Sequence, residues 1–411
     1  MRFNNTLFSC YAENSTVTAL PYLYKKDNET EYTFVKDIKG YGNATNRSNW
    51  YLISSPVGSI VPSNNVENMI ESNGNYDLYS YNQSEEKEWI NYKQHTNDFE
   101  LANGQGYLYA NSNDVTLIFT GDESQQTNQY WPDVQYDANA DNPGWNLIGN
   151  PYGHKATLNK GFYVMKDDGT EIIAATGTIV GPMEGVFVQI SDENEEVKFT
   201  PDGVVYQEDD KFVLNLVQNR GNIVDRAIVR MGEGRQLSKF QLFENSTKIY
   251  IPQNGKDCAV VRSEGQGELP VNFRAAENGT YTLSIDTEDM EMNYLHLIDN
   301  MTGMDVDLLQ TPSYTFEANV NDYESRFKLV FAGASDGAST GSATFAFFSN
   351  GSLIINNEGN ATLQVVDLTG RILSSESVNG SVSTTLNAPT GVYMLRLING
   401  DNVKVQKIVV R

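Results

Sequence analysis

Residues 49–58 read NWYLISSPVG, and residues 144–153 read GWNLIGNPYG. Trp50, Leu52, Ile53, Pro56 and Gly58 recur as Trp145, Leu147, Ile148, Pro151 and Gly153, at one constant offset. Each copy is followed by a glycine-led apolar run, Gly106-Tyr107-Leu108-Tyr109 in the first and Gly185-Val186-Phe187-Val188 in the second. A closing run then ends Phe119-Thr120-Gly121-Asp122 or Phe199-Thr200-Pro201-Asp202. Matched landmarks in the same order mark an internal duplication. The chemistry is that of a strand and its turn. Trp and the Leu-Ile pair fill a core, Pro ends the strand where no ladder bond is needed, and Gly permits the turn. Residues 45–125 and 126–205 are therefore assigned to two related β units, packed together. Residues 1–44 form an N-terminal segment that could close an upstream domain.

Working outward, short runs with period-two alternation dominate, separated by Gly, Asn, Asp and Pro. Residues 212–216 (FVLNL), 281–285 (YTLSI), 326–331 (RFKLVF) and 392–398 (VYMLRLI) are examples. The best helical candidate is brief, residues 66–72 (VENMIES). The fold class that follows is all-β, with several antiparallel β-sandwich modules in tandem. Residues 206–331 read as one such sandwich, with turns at Glu277-Asn278-Gly279 and Asn300-Met301-Thr302-Gly303. Residues 332–343 (AGASDGASTGSA) hold only small side chains and one Asp, the composition of a flexible linker.

The chain of 411 residues is long enough for several domains. Its net charge of −24 argues against a binder of phosphate backbones, which needs clustered Lys and Arg. Strong acidity suits a soluble protein at a surface bathed in divalent cations. Cys10 and Cys258 have no metal-ligand spacing; they read as inert thiols or as one disulfide. No apolar run reaches the twenty or so residues needed to span a membrane. Residues 1–11 (MRFNNTLFSCY) lack the apolar core and small-residue cleavage site of an export signal. An exported protein with this start would be a fragment or a mature form.

Residues 344–411 form a compact last unit. Leu363-Gln364-Val365-Val366-Asp367-Leu368 runs into the turn Thr369-Gly370-Arg371, and Pro389-Thr390-Gly391 delivers another strand. Asn399-Gly400-Asp401-Asn402 makes a hairpin tip before the last strand, residues 403–410 (VKVQKIVV). The order of these elements resembles the C-terminal sorting domain of the type IX (Por) secretion system of Bacteroidota. Asp367, Gly370, Arg371, Gly391, Tyr393, Lys404 and Lys407 are the residues that carry the resemblance. It implies an Ig-like sandwich, contact with the type IX machinery, export across the outer membrane, and attachment of the passenger to surface lipopolysaccharide. More loosely, the upstream units are similar to uncharacterised β modules that precede this domain.

Catalytic signals are sparse. His95, His154 and His296 lie far apart, with no paired-ligand spacing, and read as structural. Glu85-Glu86, Glu195-Glu196 and Asp209-Asp210 read as solvated turns, where a raised carboxylate pKa has no cause. Asp137, Asn139 and Asp141 place oxygen donors at alternate positions, as Ca²⁺ requires. The sixth and twelfth positions of an EF-type loop hold Asn142 and Ile148, so an Asx-rich turn competes with calcium for that segment. Trp50 and Trp145 repeat with the Leu-Ile pair and belong to the core. Trp89 and Trp131 sit in polar stretches and are the candidate ligand contacts. The expectation is an exported, non-catalytic surface protein with no cofactor, or else the accessory region of a larger secreted peptidase or glycosidase.

Overall fold

The structure, a computed structural model, describes residues 23–25, 31–42, 49–70, 74–94, 99–122, 128–201, 210–218, 221–287, 289–333, 345–349, 352–357, 359–400 and 402–410. The chain is all-β, built almost entirely of antiparallel sheets. Of the helical candidate 66–72, residues 66–70 are not helical, and 71–72 lie outside the described residues. Val66–Glu67 is a short strand paired with Phe119 and Ile118, and an α-helical turn, Pro62–Asn65, precedes it with Pro at its start.

The two copies of the repeated motif pair in one register. Leu52 lies opposite Leu108, Ile53 opposite Tyr107 and Ser54 opposite Gly106. In the second copy Leu147 faces Phe187, Ile148 faces Val186 and Gly149 faces Gly185. The residue before each Trp is left-handed, Asn49 at φ 61° and Gly144 at φ 77°.

The copies dock through exchange-related contacts. Ile53 bridges to Glu184, and its counterpart Ile148 bridges to Gln105. Ser54 N–H donates to the Met183 carbonyl at 3.2 Å, and Gly149 N–H donates to the Gly104 carbonyl at 2.9 Å. Gly106 and Gly185 stand back to back here. A Cβ on Gly106 would meet the Ile148 carbonyl oxygen at 2.6 Å, and one on Gly185 would come within 3.3 Å of Gly106 Cα. Glycine is what lets the backbones approach this closely.

Each copy also owns a second sheet. Glu31–Ile38, upstream of position 45, pairs along its whole length with Val115–Asp122 in the first. Ala156–Leu158 pairs with Phe199–Pro201 and Ile179–Val180 in the second.

Residues 211–333 form the larger sandwich, one long path of strands that doubles over until Phe212 meets Phe331 at 5.2 Å between ring centroids. One pair within it, Ile223–Met231 with Lys256–Ser263, is parallel. FVLNL lies in the strand Lys211–Gln218 and is buried on both faces. Phe212, Leu214 and Leu216 enter the sandwich core, while Val213 points the other way. That second face joins a shared core holding Leu52 and Leu108 of the first unit and Trp145, Leu147, Tyr163 and Phe187 of the second. Phe240 of the sandwich stacks on Trp145 with 4.3 Å between centroids. A contact of this kind adds about 0.5–1.5 kcal/mol beyond its burial. Strands covered on both faces are buried almost continuously, so the one-sided burial that the alternation of FVLNL predicts is not found here.

A buried ion pair pins the sandwich's far end. Arg326 donates from Nη2 to Asp299 Oδ2 at 2.9 Å and from Nη1 to the Glu317 carbonyl at 2.8 Å. Its guanidinium lies 4.4 Å over the Phe316 ring. Met301 N–H donates to Asp299 Oδ1 and Tyr314 O–H to Asp299 Oδ2, each at 3.0 Å. Burial pushes the Asp299 carboxyl up, but the hydrogen bonds and charge of Arg326, with the bonds from Met301 N–H and Tyr314 O–H, together outweigh it and hold the group below the usual carboxylate range.

The strand Phe327–Gly333 runs through Ala332, which is buried, and Gly333. Of the linker expected at 332–343, residues 334–343 lie outside the described residues. The C-terminal unit is a two-sheet sandwich. Ala346–Ser349, Ser352–Ile355 and Val382–Thr385 form one sheet; Ile372–Asn379, Asn360–Asp367, Gly391–Asn399 and Asn402–Val410 form the other. Leu353, Leu363, Leu395 and Ile408 are among its core residues.

Candidate functional site

The C-terminal unit gathers most of the residues singled out in the sequence. Asp367 closes its turn with its own carboxylate. Oδ1 accepts the N–H groups of Thr369 at 2.9 Å and Arg371 at 3.0 Å, and Oδ2 accepts Arg371 Nε at 3.1 Å. The hydrogen bonds from Thr369 lead the causes that hold the Asp367 carboxyl down, to about 2. Gly370 takes φ 87°, a conformation in which a side chain is strained, so the turn needs glycine there. Leu368, at the tip, is 71% exposed.

Gly391 opens the strand Gly391–Asn399 opposite Val410, so it belongs to the ladder as well as to the turn before it. Tyr393 is buried, and its hydroxyl donates back to the Pro389 carbonyl at 2.7 Å, fixing the entry to that strand. Lys404 pairs with Leu397 and Lys407 with Met394 on the last strand, Asn402–Val410, which is an edge of its sheet.

Sequence reasoning gave no role to Gln406, which is the clamp of this unit. Its Oε1 accepts the N–H groups of Phe345 at 2.7 Å and Ala346 at 2.8 Å, and its Nε2 donates to the Ala346 carbonyl. The first and last strands of the unit, in different sheets, are thereby tied together. The available signal was that Gln406 shares the inward parity of Ile408 on the last strand.

The remaining candidates are dispersed. Asp137 Oδ1 accepts Asn139 N–H at 2.9 Å, the bond of an Asx turn. The segment is anchored from below by Gln83, whose Oε1 accepts the N–H groups of Asp137 and Gly144. Asn139 and Asp141 are exposed. Among the described residues no group of three or more His, Cys, Asp or Glu side chains could hold a metal ion.

Trp89 is half-buried, edge-on to Tyr81 at 5.2 Å and to Phe187 of the second unit at 5.9 Å. Its ring is engaged within the protein. Trp131 is 53% exposed, with Lys198 Nζ 5.9 Å from its ring centroid. Trp50 and Trp145 both pack on the core shared with the sandwich.

His154 stacks on Tyr152, and His296 stacks on Tyr294 with Nδ1 2.7 Å from Asp305; His95 lies outside the described residues. Cys258 is a buried free thiol, its pKa pushed up by burial, and Cys10 lies outside the described residues.

One carboxylate departs from its expected place in a solvated turn. Glu195 is buried, accepts Ser191 N–H and Oγ–H at 2.7 Å each, and pairs with Lys160 and Arg235. Glu85 and Glu86 are exposed, and Asp209 lies outside the described residues. Glu171, which the sequence did not mark, is buried and caps the 242–246 loop of the sandwich. It accepts Ile172 N–H at 3.0 Å, Leu242 N–H, Phe243 N–H and Ser246 Oγ–H. Burial raises its carboxyl above the ordinary value despite those bonds. No helix among the described residues is long and apolar enough to cross a membrane.

No curated protein matches the chain. Among solved structures, one described as "Biofilm associated protein - BSP domain" aligns at 11% identity and a TM-score of 0.16. The alignment covers 92% of this chain, which spans 63% of that one. Residues 349–411 match the family described as "Secretion system C-terminal sorting domain". That match falls on the unit whose turn, ladder and edge are described above, so the chain ends in a type IX sorting domain and is exported to the cell surface or extracellular space.

Proposed function

We propose that the exported chain acts at the surface as a non-catalytic binding or structural protein, its upstream β units adhering, spacing or presenting. The observation that supports this is how its buried ionisable groups are used. Glu171 caps a loop, Asp299 is held by Arg326, and Asp225 is held by Lys239 and by Ile249 N–H. Carboxylates saturated by backbone donors and fixed cations hold a fold together and have little freedom for proton transfer. The sorting domain contacts the type IX machinery, and after processing the passenger is joined to surface lipopolysaccharide.

The test compares cells displaying the chain with cells lacking its gene, scoring adherence to surfaces and to other cells beside hydrolysis of peptide and glycoside substrates. Adherence should depend on the chain and hydrolysis should not. Hydrolysis that tracks the chain and vanishes on substituting a single carboxylate would replace this reading with an enzymatic one.

A further inference from the structure

We infer that the outer face of the sorting domain's four-stranded sheet, with its edge strand Asn402–Val410, is the surface that docks on the secretion machinery, and that it takes a protein surface that is apolar and carries carboxylates. This rests on the export reading above.

The domain has two outer faces, used differently. Ile354 and Phe347, on the three-stranded sheet, pack with Tyr294 and Val330 of the large sandwich, and Asn356 Nδ2 donates to the Gly333 carbonyl at 2.9 Å. That face is turned to the passenger. The opposite face belongs to the four-stranded sheet. On its edge strand Val403, Val405 and Val409 are 44%, 51% and 52% exposed, on alternate residues that point away from the core residue Ile408. They lie opposite Ile398, Arg396 and Val392 respectively, and Lys407 lies opposite Met394. The face continues inward through Val366, Gln364 and Thr362, paired with Met394, Arg396 and Ile398. Rows of aliphatic side chains thus carry two cations, Arg396 and Lys407, and no carboxylate.

The rest of the chain is the electrostatic opposite. Residues 345–411 hold five Lys or Arg against four Asp or Glu, so all of the net −24 comes from upstream. The edge strands of the large sandwich are guarded by acid, with Asp305 and Asp307 on Met304–Asp307 and Glu317 on Ser313–Ala318. Charged residues on an edge discourage strand addition. The sorting domain's edge carries Lys404 and Lys407 in place of acid, between three exposed valines. A carboxylate-bearing apolar surface would attract Arg396 and Lys407 and repel the passenger, which gives discrimination as well as affinity. A strand that brings carboxylates to Lys404 and Lys407 would extend the sheet along Asn402–Val410, and an uncharged or basic one would be refused.

The experiment uses the full chain behind a signal peptide in a host with the type IX system, scoring surface against periplasmic protein. The variants are Arg396→Glu with Lys407→Glu, Val405→Glu alone, the conservative Arg396→Lys, and Thr385→Glu on the opposite sheet. The same purified proteins are melted to show that they fold, and are sedimented with vesicles of anionic phospholipid. The wild type, Arg396→Lys and Thr385→Glu should reach the surface. The two face variants should melt as the wild type does yet export at least about tenfold less, the change that a loss of about 1.4 kcal/mol of affinity gives. If the wild type itself stays periplasmic, the export reading fails. If it is exported and the folded face variants are too, the docking face is wrong while export stands. Vesicle binding by the wild type that the face variants lose would assign the face to lipid and overturn a protein partner.

Discussion

Replacing Arg326 by Leu should strip the sandwich of its buried cation and leave Asp299 behind. Both side chains are within 2% of complete burial, so water cannot substitute for the lost partner. Arg326 Nε and Nη2 together reach both oxygens of Asp299, between 2.9 and 3.2 Å. Nη1 satisfies the Glu317 carbonyl, which would also lose its donor. Breaking a buried pair from one side costs about 3–5 kcal/mol, because an uncompensated charge stays in low dielectric. Removing both charges costs far less, since desolvation roughly cancels the attraction. Asp299→Asn/Arg326→Leu should therefore be more stable than Arg326→Leu alone. In thermal melts followed by far-ultraviolet circular dichroism, the single variant should lose about 6–20 °C, taking about 2–4 °C per kcal/mol. Urea melts give the free energies directly. A single-variant loss below about 1 kcal/mol, or a double variant no better than the single, would refute the reasoning.

Acid should act through the same pair: the depressed Asp299 carboxyl contributes stability above its ordinary value of 3.8 that is lost as pH falls through its lower folded value. Urea melts between pH 5 and pH 2 should show this limb flattened in the double variant. Glu171 has the opposite sign, because a carboxyl raised above 4.5 favours the folded state as it gains its proton. As pH falls from neutral towards 4.5, the stability of wild type minus that of Glu171→Gln should therefore rise, and a difference that falls contradicts this. Gly106→Val should cost about 1–3 kcal/mol in urea melts, since its Cβ meets the Ile148 carbonyl and the Leu147 side chain where the two repeats dock. Calcium should leave the thermal midpoint unchanged, whereas a site at a hundredfold excess over Kd would add about 2.7 kcal/mol.

The fold class was legible because strand chemistry is local. The repeated Trp-Leu-Ile motif, the glycine-led strands and the polar turns all lie where pattern reading puts them. Asn49 and Gly144, both left-handed, even showed in the alignment of the two copies as the residue before each Trp. What stayed hidden depends on distant partners. Nothing within residues 31–38 announces a partner strand at 115–122. Trp89 reads as a surface residue among polar neighbours, and Phe187, nearly a hundred residues later, joins Tyr81 in covering it. Glu195 sits in a run of Asp, Glu and Asn that reads as solvated; Lys160 and Arg235 turn it inward. Ala332 reads as linker by composition, yet its strand pairs it with Gln266. In the sorting domain the turn at Asp367 is written in adjacent residues, whereas the Gln406 clamp spans sixty residues and crosses between two sheets.

The central claim is that the C-terminal unit carries export by itself. The direct measurement fuses residues 344–411 to an inert reporter behind a signal peptide, in a host with the type IX machinery, and locates the reporter by protease accessibility on intact cells. The intact unit should place it at the surface. Removing residues 403–410 should hold it in the periplasm, because that deletion takes away the edge strand and the Gln406 clamp together. A reporter that stays periplasmic even with the intact unit would contradict the account.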